Sequence, residues 1–83
     1  MGHLTTLDNT RAGDVLRVVS ILDPETATMA LRLGIAEGET ITVASKVPGG
    51  PLVVCRGKVD IALGRALCKG IQVQIQDKRV TVS

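Results

Sequence analysis

Eighty-three residues, 45 % apolar and 22 % charged with a net charge of +2, describe a single small globular domain rather than a disordered or multidomain chain. There is no Phe, Trp or Tyr, which excludes base-stacking readers of single strands and RNA, aromatic grooves for polyproline and cages for quaternary amines. The core must be aliphatic. The longest uninterrupted apolar run, Leu52-Val53-Val54-Cys55, falls far short of the ~20 residues a membrane span needs. No charged start and apolar stretch marks a signal peptide at the N-terminus. A cytoplasmic protein with reduced thiols is therefore expected.

In chain order, Thr5-Thr6-Leu7-Asp8 leads into a turn at Ala12-Gly13-Asp14, and the β-branched residues 15–22 predict a strand. Asp23-Pro24-Glu25 has the grammar of a helix start: an N-cap, Pro at the first helical position and an acid in the first turn. The helix runs to Leu33, with Ala27, Ala30 and Leu31 on one face and Gly34 as its stop. Residues 35–39 turn the chain at Gly38. Residues 40–45 alternate as a half-buried strand, Pro48-Gly49-Gly50-Pro51 makes a turn, and Leu52 to Arg56 return as the second arm of a hairpin.

Residues 57–60 predict a bend and residues 61–68 a second short helix, with Ile61, Leu63 and Leu67 near helical spacing. Ile71, Val73 and Ile75 alternate with three glutamines, as a strand with one face buried does. Asp77-Lys78 reads as a tight turn before a last edge strand within residues 77–83. Short strands with frequent turns predict a mainly β fold, a small barrel with one or two short inserted helices, whose closure removes exposed edges. Gly34 and Gly50 are expected at positive φ.

The charge is uneven. Residues 1–41 hold three basic and six acidic side chains, and residues 42–83 hold seven basic and two acidic. Because the two halves of a small barrel interleave in space, this reads first as solvated charge and second as a basic docking surface.

The motifs that carry chemistry are missing. A phosphate-binding loop needs four residues between its glycines and Lys-Ser/Thr after them; here six separate Gly50 from Gly57, and Val59 follows Lys58. Cys55 and Cys68 lie thirteen positions apart and His3 is the only histidine, which lacks both the pairing and the number of ligands of a structural zinc site. The thiols read as small apolar residues first, and second as ligands of a metal, within one chain or across a dimer. No nucleophile–base pair is apparent and no separated pair of carboxylates, so no catalytic residue and no enzyme activity is expected.

The ordered series of segments is similar to a known family. Thr6-Leu7, Gly13-Asp14, a strand, a helix ending Leu33-Gly34-Ile35, then Glu37-Gly38 and Ile41-Thr42-Val43 resemble the FeoA family of ferrous iron transport proteins. Gly49-Gly50-Pro51-Leu52, Ile61-Ala62-Leu63-Gly64-Arg65 and Ile71-Gln72-Val73 extend the likeness over about residues 4–76. The resemblance implies an SH3-like barrel and a cytoplasmic accessory role, assisting FeoB, a membrane transporter with a GTPase domain, in Fe²⁺ uptake.

The same fold serves as the C-terminal domain of iron-dependent repressors, but nothing here resembles their winged-helix DNA reader. The expected partner is thus the transporter's GTPase domain, with a weak homo-oligomer as a further association and neither nucleic acid nor membrane insertion. On this reading the docking surface is Met29, Arg32, Leu33 and Gly34, with Arg56 and Lys58 as electrostatic partners. The rival reading is a metal-binding or metal-sensing module that holds Fe²⁺ or another divalent metal through Cys55 and Cys68.

Two features depart from the family. Thr28-Met29-Ala30-Leu31-Arg32 precedes Leu33-Gly34 where many relatives carry Arg and a bulky Leu, and Cys68 stands where relatives often have Ala.

Overall fold

In the computed structural model, which describes residues 3–76, six strands form one antiparallel sheet. They are β1 (His3–Thr6), β2 (Val15–Ile21), β3 (Thr40–Lys46), β4 (Leu52–Arg56), β5 (Val59–Leu63) and β6 (Ile71–Ile75). Their spatial order is β1-β6-β2-β3-β4-β5. Two helices, α1 (Pro24–Arg32) and α2 (Arg65–Cys68), are inserted before β3 and β6. The class is the mainly β, SH3-like one that the sequence predicts.

Alternation builds the core. Leu16 and Val18 of β2, Ile41 and Val43 of β3, Leu52 and Val54 of β4, and Ile71 and Val73 of β6 are each at most 1 % exposed. Residues between them on each strand turn outward, as the period-2 pleat requires. The register shifts between Val18 and Ser20 on β2 and between Val43 and Ser45 on β3. Such bulges bend a strand and increase its twist, so a sheet only six strands wide curls round one aliphatic cluster. Leu7, in the 3-10 turn after β1, and Ile35, after α1, are fully buried in that cluster. Thr10 is the one buried polar residue among those described, and its hydroxyl donates to the Leu7 carbonyl at 2.7 Å.

The structure corrects several expectations. Residues 59–63 are strand β5, and only Arg65–Cys68 is helical. Ile61 and Leu63 are buried at period 2, not at helical spacing, and the two-residue turn at Gly57-Lys58 folds them back onto β4. β1 was not legible as a strand, because Leu4 alternates with nothing apolar and is 55 % exposed. Among the described residues the sheet does not close by strand pairing: β1 and β5 are its two edges. The positive φ falls at Gly49 (72°), not Gly50. Gly50 is needed for space, since a Cβ there would lie 3.0 Å from Val47 Cγ1. The strand expected within residues 77–83 lies outside the described residues.

Candidate docking surface

The first helix is fixed at its two ends. At the start, the Asp23 carboxylate accepts from the Thr26 N–H at 3.0 Å and from the Thr26 hydroxyl at 2.6 Å, with Pro24 following the cap. These bonds stabilise the charged form and lower the Asp23 pKa, Thr26's hydroxyl being the main cause. The same Thr26 lies against Gly70, where an added Cβ would come within 2.9 Å of Thr26 Oγ1. The helix start therefore rests on the chain just before β6, a contact that demands glycine and that spacing along the sequence does not signal.

At its other end the helix closes as a Schellman motif. The Ile35 N–H bonds the Ala30 carbonyl at 2.9 Å and the Gly34 N–H bonds the Leu31 carbonyl at 3.0 Å, with Gly34 at φ +84°. Ala30 and Ile35, both 0 % exposed, form the apolar contact that accompanies this cap. The expected apolar face of Ala27, Ala30 and Leu31 is thus mostly unused: Ala30 is buried, Ala27 half-buried, and Leu31 66 % exposed. A nine-residue helix anchored through one alanine and its caps leaves its large side chains outside.

The structure unites part of the predicted set. Met29 is 54 % and Leu33 38 % exposed, and Leu22, just before the helix, is 59 % exposed. Met29 borders a shallow groove with Pro24, Glu25 and Thr28; Leu31 borders a second one with Ile21, Ala27, Ile35, Ala36 and Glu37. The Arg56 guanidinium, from the end of β4, packs on Gly34 so closely that a Cβ at Gly34 would meet Arg56 Nη2 at 2.7 Å. Arg56 Nε is buried there without a hydrogen-bond partner. This places a cation beside the negative end of the helix. Arg32, exposed in the last turn, and Lys58, exposed in the β4–β5 turn, add to the same sign. Leu22 and Leu31 were missed as surface residues; only the short helix and its single small buried residue could have signalled them.

The two cysteines are not brought together. Cys68 is 0 % exposed in the core cluster, and burial raises its thiol pKa to about 11. Cys55 sits on β4 between the inward-facing Val54 and Arg56, and its Sγ donates to Asp60 Oδ1 at 2.8 Å. That carboxylate is the main cause of its raised pKa. Both thiols are free, and among the described residues no three His, Cys, Asp or Glu side chains cluster as metal ligands. A shared Cys55–Cys68 site within one chain would need the core to open.

The described residues thus form a curled β module with a helix whose large apolar side chains are offered outward. The chain belongs to the FeoA family: the FeoA domain matches residues 5–75. It is similar to a crystal structure of an iron uptake regulatory protein, FeoA, at 28 % identity and a TM-score of 0.84, covering 89 % of this chain and all of that one. A FeoA-like protein from Clostridium acetobutylicum superposes at TM-score 0.83 and 19 % identity over 99 % of this chain and 98 % of its own. A manganese-dependent transcriptional repressor shares the fold at TM-score 0.76 and 22 % identity, over 92 % of this chain but 44 % of the repressor. No curated protein matches the chain. Among the described residues no helix is long and apolar enough to cross a membrane.

Proposed function

We propose that this protein is a non-enzymatic accessory component of ferrous iron uptake that docks on the cytosolic GTPase domain of a FeoB-type transporter. Family membership supports the iron-uptake role. The observation that carries the docking surface is the helix held by its ends, with Met29, Leu31 and Leu33 exposed beside the Arg56–Gly34 contact. Apolar side chains outside a core are candidates for burial against a partner, and the cations at the helix end favour an acidic rim on that partner. A face of this size fits a transient interface below ~1,200 Å².

The test is a titration of the labelled protein with the transporter's soluble GTPase domain, followed by backbone amide NMR. Shifts are expected in residues 24–38 and at Arg56 and Lys58. Met29→Asp is expected to weaken binding at least tenfold, about 1.4 kcal/mol, with an unchanged amide spectrum elsewhere. Equal affinity of the folded variant discards this surface.

A further inference from the structure

Among the described residues the sheet is open at β5, and this edge has a specific geometry. The two-residue turn at Gly57-Lys58 makes Arg56 and Val59 the hydrogen-bonded pair that closes the β4–β5 hairpin. Alternation then directs the N–H and C=O groups of Val59, Ile61 and Leu63 towards β4, and those of Asp60 and Ala62 away from it. No hydrogen bond within the described residues engages these outward groups of Asp60 and Ala62. Edge strands are normally blunted by lysine, proline, a bulge or a covering segment. β5 reads Val-Asp-Ile-Ala-Leu, pairs with β4 without a bulge, and turns its one carboxylate to Cys55. On the core-side face Val59 is 51 % exposed, and Ile61, at 8 %, is the least covered member of the core cluster.

We propose that β5 is a self-association edge, on which a second copy of this chain pairs antiparallel about a two-fold axis at Ile61. In that register Asp60 of one copy faces Ala62 of the other, and both exchange their outward N–H and C=O groups as hydrogen-bonded pairs. Val59 faces Leu63 of the second copy on the core side, which covers the exposed valine. The neighbouring registers are worse. An axis at Asp60 sets two carboxylates face to face, and an axis at Ala62 sets Val59 against Arg65, where the strand has ended. The edge is thus complementary to itself in one register, which selects a second copy over an unrelated strand. The contact is small, so the dimer is weak and concentration-dependent. It does not depend on transporter docking, and its test needs only this chain.

Sedimentation and amide hydrogen exchange of the full chain, from about 20 μM to about 1 mM, decide it. The expected result is a mass rising towards two chains, with exchange at the Asp60 and Ala62 amides slowed at least threefold at the higher concentration. Ala62→Pro removes an outward N–H without cutting the β4 ladder, and Ala62→Asp sets a second carboxylate against Asp60 of the other copy. Both are expected to stay monomeric, and the aspartate variant decides the matter if the proline variant loses its fold. A monomer at the highest concentration overturns the proposal. So does a dimer that leaves the Asp60 and Ala62 amides unprotected, or one that persists unweakened in Ala62→Asp.

Discussion

The sheet and the first helix use apolar residues in opposite ways. In β2, β3, β4 and β6 two inward residues apiece are at most 1 % exposed. In α1 a single alanine is buried, while Met29 and Leu31 stand more than half exposed. The helix is nevertheless well defined, because its ends carry what its middle does not: the Asp23 cap and the Gly70 contact at one end, the Schellman closure and Arg56 at the other. Hydrophobicity in this protein therefore has two meanings. In the sheet it holds the fold, and on the helix it is left for another surface.

The largest effect that separates the two regions is a cavity. Leu52→Ala, at a fully buried position, is expected to cost about 2–5 kcal/mol in urea unfolding, a large share of the stability of a domain this size. Leu31→Ala removes the same atoms from a side chain that is 66 % exposed and should stay within about 0.5 kcal/mol of wild type. Comparable losses at the two positions would break the contrast. A second core effect appears in alkali. The folded Cys68 thiol titrates near 11, above the ordinary value of about 8.5, so the folded state holds its proton more tightly. Its contribution is complete below about pH 8.5 and is lost as the pH rises towards that folded value. Cys68→Ala should flatten this alkaline decline, read from melts across the range.

The end of the helix gives a smaller and more local effect. Gly34→Ala forces a Cβ into the left-handed region, at about 1–2 kcal/mol, and pushes against the Arg56 guanidinium. The second part disappears in an Arg56→Ala background. The double variant should therefore be more stable than the sum of the single effects predicts, by at least about 0.5 kcal/mol. Simple additivity would mean that Arg56 swings aside at no cost and that the contact at Gly34 positions nothing.

How far the sequence exposes this arrangement depends on whether the cause is local. The alternation of Ile71, Val73 and Ile75, the Asp23-Pro24 start and the Gly34 stop are written in neighbouring residues, and the structure bears them out. β5 was misread as helix because Ile61, Leu63 and Leu67 satisfy a loose helical spacing. Only the pairing with β4, set by the turn at Gly57, distinguishes the two. The roles of Gly70 and Gly50 are close approaches to Thr26 and Val47, and the Gly70 contact joins segments more than forty residues apart, which no local pattern encodes. For the site, Arg56 and Gly34 were named separately and their contact is long-range. Leu22 and Leu31 were passed over because apolar residues beside a helix face are read by default as core.

The smallest effect concerns the cap alone and tests whether the helix is independent of the sheet beneath it. Hydrogen bonds from Thr26 depress the Asp23 pKa in the folded state. The stabilisation they bring is present above the unfolded value of about 3.9 and is lost as the pH falls through the lower, folded one. Asn caps a helix about as well as Asp without titrating, so Asp23→Asn should remove this acid-side step while leaving behaviour at neutral pH almost unchanged. Amide exchange measured on both proteins locates the effect. In wild type the protection of residues 26–33 should fall on acidification before that of β6, because the helix is tied down chiefly at its ends. If β6 loosened in step with α1, the helix would be part of the core's cooperative unit, and its exposed leucines would have to be explained by the fold rather than by a partner.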